Sequence, residues 1–364
     1  MDQEKYLGNY DMDLDEKRIL DDYKRLMNKR ILFFTFMALA IVVFGFVAIT
    51  IGPIDMSIGD SYSAVFHRIM PAFVESPGDS IEAVVWYVRL PRLLTGLLVG
   101  FSLSISGAVM QPVLKNPMAS PFTLGVSSGA GFGAALALIM GKGFLSGQFF
   151  VVGNAFLFSI ITSLAILLIS KKRNSSPETM VLVGIALSHL FTACTTVMQY
   201  FSDSWATEEV VFWMVGSLSK GTWDNLKYMF PVALVCTIFL IMKSKDLNSI
   251  GTGDETAKSL GINVNRARTV FMLVASLLTA TTICFTGAIG FIGLVSPHIA
   301  RRFGSDNRFV VPAAGLIGAM LLMVSDVVAM NVISPVIIPI GVMTSFMGVP
   351  LFMYLIIRRR KRSF

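Results

Sequence analysis

Cysteine, histidine and charge are all scarce in this chain. Its 364 residues include 3 cysteines and 3 histidines, and only 15% are charged. Cys194, Cys236 and Cys284 stand alone in apolar segments, which excludes a disulfide framework and leaves them as packing residues. With no cluster of histidines, cysteines or carboxylates, no metal site assembles, and no metal or other cofactor is expected. The run G-x-x-x-x-G-K-[ST] is missing, so the chain lacks a Walker phosphate loop. No Ser/His/Asp or paired-carboxylate pattern sets a nucleophile beside a base, which argues against an enzyme.

Apolar residues are what the chain has in excess. At 54% hydrophobic and a mean hydropathy of +0.70, it reads as an all-α polytopic membrane protein of the cell membrane. Ten spans are placed near 31–51, 90–112, 121–140, 149–170, 179–200, 228–242, 269–286, 288–297, 309–331 and 340–357. With the N-terminus inside, 24 of the 30 lysines and arginines fall in cytoplasmic segments, among them those at 358–362 and Arg173. That asymmetry sets both termini in the cytoplasm. The net charge of +7 is therefore a topology signal and not a nucleic-acid footprint.

The longest uncharged run, Thr269 to Ala300, carries Thr286-Gly-Ala-Ile-Gly-Phe-Ile-Gly-Leu-Val-Ser-Pro-His298. As one helix it would be roughly 48 Å long, against a bilayer core of about 30 Å. Gly287, Gly290, Gly293 and Pro297 supply the hinge, giving a span, a tight reversal and a short returning helix. Such a break is tolerated only where protein or a water-filled path satisfies the freed backbone groups. The motif has an in-register echo: Ser106-Gly107-Ala108-Val109 answers Thr286-Gly287-Ala288-Ile289, Leu114 answers Leu294, and Pro117 answers Pro297. Internal repeats of this kind are common in transporters.

Residues 1–30 form a charged extension ahead of a permease domain at 31–364. The extension is too charged for a secretory signal, and reads either as an interfacial helix or as a solvated tail. Between Gly52 and Ser80 an external loop holds a possible amphipathic helix over 57–70, with His67-Arg68 as a solvated pair or a partner contact. Arg89 and Arg92 stand at the outer mouth of the second span, where they either snorkel or dock acidic groups of a partner. Three prolines between Pro112 and Pro121 end that span. Gly125, Ser127, Ser128, Gly129, Gly131 and Gly133 then form a face suited to close helix packing. On the fifth span Ser188, Thr192, Thr195 and Gln199 make a polar stripe, for interhelical bonds or for a pathway; His189 beside it reads as packing.

The stretches RLPRLLTGLLVGFSLSISGAVMQPVLKNPMASPFTLGVSSGAG (89–131) and GAIGFIGLVSPHIARR (287–302) resemble the two signatures of the FecCD-type permeases. FWMVGSLSKGTWDNL (212–226) and PIGVMTSFMGVPLFMYLI (339–356) are similar to the same family. The resemblance implies an ATP-driven importer of an iron–siderophore complex, or alternatively of haem or cobalamin. It implies two ATPase subunits, an extracytoplasmic substrate-binding protein and a second permease copy, as a homodimer or close heterodimer. Asp254-Glu255-Thr-Ala257-Lys-Ser-Leu260-Gly261 is similar to the E-A-A-x-x-x-G coupling loop of such importers, read here as two short surface helices that seat in an ATPase groove. By the same resemblance Asn116 and Met118, with Ser176-Pro177-Glu178-Thr179, sit at the cytoplasmic gate; the family's docking arginine is replaced by Met330 here, so docking of the binding protein is expected to lean on Arg89 and Arg92. Members commonly carry an arginine where this chain has Met330, four residues after Asp326. Lacking it, Asp326 is expected to bond to backbone, a hydroxyl or an outer arginine. As the only well-embedded carboxylate, Asp326 is poor support for the rival class, an ion-coupled carrier.

Overall fold

A computed structural model describes residues 12–54, 56–141, 143, 147–172 and 176–357. Residues 1–11, Arg173 and the basic C-terminal run at 358–362 lie outside the described residues. The described chain is helical, in the order α1 (Met12–Thr50), α2 (Ile58–Ile69), α3 (Asp79–Val84), α4 (Leu90–Val113), α5 (Val126–Met140), α6 (Phe150–Lys171), α7 (Pro177–Tyr200) and α8 (Ser204–Met214). It continues with α9 (Trp223–Met242), α10 (Ser244–Thr252), α11 (Asp254–Ser259), α12 (Val264–Thr286), α13 (Ile292–Ala300), α14 (Asn307–Asn331) and α15 (Ile340–Ile357).

Seven of these helices are long and apolar enough to cross a membrane, counting α3 and α4 as one element from Asp79 to Val113. The remaining apolar helices, α5 and α15, are shorter. The returning helix α13 has nine residues, about 13 Å, and reaches less than halfway through a bilayer core. It is therefore a half-span and not a tenth crossing. The expected third span begins five residues late: Ser120 and Thr123 bond each other in a turn, and Gly125 takes φ +76° before α5 starts at Val126. Helix α8 was not among the expected spans. Its signal was Asp203, whose Oδ1 accepts from the Ala206 N–H at 2.7 Å ahead of the buried series Ala206, Val210, Trp213.

Helix α1 runs unbroken for 39 residues. It is roughly 58 Å long, so its first part continues the axis of the span well beyond a bilayer core of about 30 Å. The part of the extension that is described, 12–30, is thus helical, and its residues 18–29 are exposed.

α4 is the axle of the fold. A β-carbon on Gly107 would lie 1.7 Å from the Gly293 carbonyl oxygen, and one on Gly100 2.4 Å from that of Gly318. Only glycine admits α13 on one side and α14 on the other at this separation. Pro297 lies inside α13 and contributes no break. Having no N–H, it cannot donate to the Gly293 carbonyl four residues back, and that carbonyl is the one turned toward Gly107. The sequence echo between 106–109 and 286–289 does not extend to conformation, because the first set lies inside α4 and the second is a helix end. The small face of α5 packs as expected: β-carbons on Gly129 and Gly133 would strike Thr162 and the Asn154 carbonyl of α6.

Gly290 provides an internal control, since a β-carbon there meets nothing within 4 Å. Gly107→Val should lower the thermal unfolding midpoint of the detergent-purified protein by the equivalent of about 1–3 kcal/mol or prevent folding, as overpacking against backbone does. Gly290→Ala should leave the midpoint in place. Equal effects from the two would contradict this packing.

Candidate functional site

The hinge is built from both sides. Gly287 ends α12 at φ +73°, where its β-carbon would lie 2.2 Å from the Trp213 carbonyl oxygen of α8. The Thr286 carbonyl accepts from the Ser217 N–H at 2.7 Å, and the Val215 carbonyl from the Gly341 N–H at 3.0 Å. The Thr286 carbonyl at the break is thus satisfied from the end of α8, which is itself bonded to the start of α15. Gly287 and the strained Phe291 at φ +65° do the turning. Gly293 permits the close approach to α4, Gly290 meets nothing within 4 Å and is not required by packing, and Pro297 belongs to the returning helix.

At one end of the bundle, α10 and α11 form a knob. Leu247 and Ile250 of α10 are fully buried in the main core, and Gly251 approaches Pro112 of α4. Ala257 anchors α11 with no exposure, while Glu255 and Lys258 face outward and Leu260 is 65% exposed. The helix closes with a Schellman turn: Ile262 N–H donates to the Ala257 carbonyl, Gly261 N–H to that of Lys258, and Gly261 takes φ +80°. This arrangement matches the pair of short helices expected from sequence, with an apolar back in the core and a mixed face left outside.

The Asp254 carboxylate ties the knob to its neighbours. Its Oδ1 accepts from Lys115 Nζ at 2.8 Å and Arg268 Nη2 at 2.9 Å. Partial burial raises the pKa of this carboxyl, but the Lys115 hydrogen bond and the Arg268 charge outweigh it and hold the value below the ordinary one. A lowered carboxylate pKa adds stability that is complete above the unfolded-state value and is lost as pH falls through the folded one, so this pairing is intact at neutral pH. At the same end Asp306, the N-cap of α14, accepts from Asn248 at 2.8 Å and Arg30 at 3.2 Å, and its pKa is likewise lowered against partial burial. The contacts of Arg30, Lys115, Arg268 and Arg308 put four of the basic segments at one end of the molecule.

The expected gate residues are explained locally. Asn116 Oδ1 accepts from the Met118 N–H at 2.9 Å in the turn that follows α4, opened by Lys115 at φ +48°. Ser176 is the N-cap of α7, its Oγ accepting from the Thr179 N–H at 3.2 Å, with Pro177 and Glu178 in the first turn. In the stripe on α7, Ser188 bonds the Gly184 carbonyl and Thr195 that of Phe191. Thr195 is 3% exposed, so it faces the bundle and does not line a path; Thr192 is exposed and Gln199 half-buried. His189, expected as packing, is on the exposed face.

At the opposite end Arg92 forms a bidentate pair with Asp326, Nε to Oδ2 at 2.9 Å and Nη2 to Oδ1 at 2.8 Å, and its Nη1 donates to Ser219 at 3.0 Å. The aspartate therefore finds an outer arginine, as expected. Arg92 is correspondingly corrected: 8% exposed and committed to Asp326, it presents no charge for docking. Arg89 is half-buried and donates to the Ile49 carbonyl at 2.6 Å and to that of Ile54. The widened turn Val85–Arg89 lies directly before Pro91, which cannot donate to the Tyr87 carbonyl. Nearby, the Arg68 guanidinium lies 5.8 Å from Trp86, which stacks on Trp223, while His67 approaches Glu82 at 3.6 Å. The 67–68 pair is thus engaged within the chain.

A bundle of membrane-length helices with a buried half-helix and a core-anchored knob defines a multi-pass permease of the cell membrane. The FecCD transport family model matches residues 39–358, and the chain belongs to that family of ABC transporter permeases. It is 39% identical over 361 residues to a protein of Methanocaldococcus jannaschii described as an ABC transporter permease, covering 96% of this chain and all of the relative. It is 36% identical to the vitamin B12 import permease BtuC of Klebsiella pneumoniae and 34% to the hemin transport permease HmuU of Yersinia pestis, each over 79% of this chain and 87% of the relative. A solved inward-facing transporter described as of the metal-chelate type superposes with a TM-score of 0.79 at 30% identity, covering 90% of this chain and 99% of that one.

The Arg92–Asp326 pair yields a quantitative expectation. Asp326→Leu leaves a buried guanidinium unpaired and should cost about 3–5 kcal/mol, whereas Asp326→Leu with Arg92→Met should cost far less. Thermal unfolding in detergent measures both, and equal losses would show that the pair is not the linkage described.

Proposed function

We propose that this chain is the permease subunit of an ATP-driven importer that takes up an iron–siderophore or related chelate. Haem or cobalamin import is the alternative within the same architecture, favoured by the relatives named for hemin and vitamin B12. The observation that carries the reading is the knob: a helix pair seated in the core by Leu247, Ile250 and Ala257 that leaves Glu255, Lys258 and Leu260 outside. Such a rigid projection suits a groove on an ATPase, and transmits motion because it cannot move alone. Two separate ATPase subunits supply the energy.

The basic end faces the cytoplasm under the positive-inside rule. The arginine–tryptophan end then faces outward and receives the binding protein, with Arg89 as the nearer contact and Arg92 held behind it by Asp326. A second permease copy completes the pathway. The exposed apolar rows of α7 (Leu182, Ile185, Leu190) and α15 (Phe346, Met353) are available to it or to lipid. Thr192 and Gln199 then line the path, and Asn116 and Met118 with the capped turn at 176–179 form its cytoplasmic gate. Residues 31–364 act as one permease domain behind the extension at 1–30.

The test is uptake of ferrichrome, hemin and cyanocobalamin by proteoliposomes containing the chain, its ATPase subunits and the binding protein. Uptake of one probe should require ATP and survive collapse of the ion gradients. Leu260→Glu should weaken capture of the ATPase by about 30-fold, the ~2 kcal/mol of a hot-spot contact, with the chain still inserted. Uptake driven by an ion gradient, or undiminished ATPase capture by that variant, would refute the assignment.

A further inference from the structure

Three elements converge on Asp254. It opens α11, the outer half of the knob, and one oxygen of its carboxylate accepts from Lys115 and Arg268 together. Arg268 belongs to α12 and is 1% exposed; its Nε donates to the Val113 carbonyl at 3.2 Å, on the last residue of α4. Lys115 lies two residues further on, in the left-handed conformation that turns the chain toward Asn116 and Met118. The knob is thus joined to the end of α4 by directional, charge-assisted bonds as well as by the apolar seat of α10. The apolar seat holds the knob in the core without a preferred direction, and the charged bonds add a fixed direction between α11 and the end of α4. A buried guanidinium held between a carbonyl and a carboxylate fixes that direction, because release would take the Asp254 counter-charge away from a buried cation.

We infer that Lys115 and Arg268 are positioning residues that carry displacement of the 254–261 segment to the Asn116–Met118 turn. Through them the knob and the inner mouth of the permease move as one body. The inference rests on the ATP-driven reading above. It assigns a role to two residues outside the knob.

The experiment uses the complex of chain and ATPase subunits in nanodiscs, with Cys194, Cys236 and Cys284 replaced by serine and Met118→Cys as reporter. Met118 is 46% exposed, so a maleimide reaches it. Labelling rates are compared without nucleotide and after vanadate trapping with ATP. In the parent the two rates should differ by at least about fivefold, the lower end of ordinary coupling between sites. Lys115→Met and Arg268→Gln should each retain ATPase capture and ATP hydrolysis while the ratio falls toward one, and Lys115→Arg should restore it. A merely structural role would lower yield or melting temperature and leave the ratio of the surviving protein unchanged. Parent-like ratios in both variants overturn the proposal. If Arg268→Gln does not assemble, Lys115→Met decides alone, since Lys115 is at the surface. A parent that captures no ATPase, or shows no nucleotide-dependent change, refutes the ATP-driven reading itself, and this inference with it.

Discussion

The structure depends on how near α13 comes to α4. A half-helix inside a membrane leaves backbone groups that lipid cannot satisfy, and its ends must find protein partners. The pairing of Gly107 with the Gly293 carbonyl brings α13 in so closely that the reversal at 287–291 falls against the end of α8 and the start of α15. With a side chain at Gly107 the half-helix would stand off, and Thr286, Val215 and their neighbours would lose the donors that complete the break. The seating of the reversal against the end of α8 and the start of the last helix thus goes with this one contact between backbones.

The two ends of the bundle use charge in different ways. At one end the paired groups are buried and internal: Arg92 and Asp326 hold α4 to α14, and Arg68 lies against Trp86, which stacks on Trp223. At the other end the carboxylates of Asp254 and Asp306 each take donors from more than one element, and both lie at the start of a helix. The first arrangement resists motion. The second links the knob, the end of α4, α1 at Arg30 and the start of α14.

Much of this was legible in the residues. The hydrophobic runs, the uncharged stretch with its glycines, and the knob with Gly261 at its end each follow from local rules of length, periodicity and turn chemistry. The half-helix was legible in position, though Pro297 was assigned to the break when it belongs to the returning helix. A proline in a short apolar run looks the same in sequence whether it stops a helix or frees a carbonyl for a neighbour. The polar stripe on α7 was visible as a stripe, yet its division between buried Thr195 and exposed Thr192 depends on which helix lies alongside. Helix α8 was passed over because its apolar pattern is short and follows directly on α7.

The sequence by itself determined that this is a helical membrane protein, where its chain breaks and which family its motifs belong to, because these depend on neighbours within a few residues and on the bilayer's demand for apolar length. Only the tertiary structure decided which charges face one another. Arg89 and Arg92 are three residues apart and alike in composition of surroundings, but only Arg92 meets Asp326, 234 residues away. Lys115, Asp254 and Arg268 are likewise spread over three segments and become one cluster only when α10 is seated. Electrostatic partners are set by distance in space, and no local pattern encodes that distance.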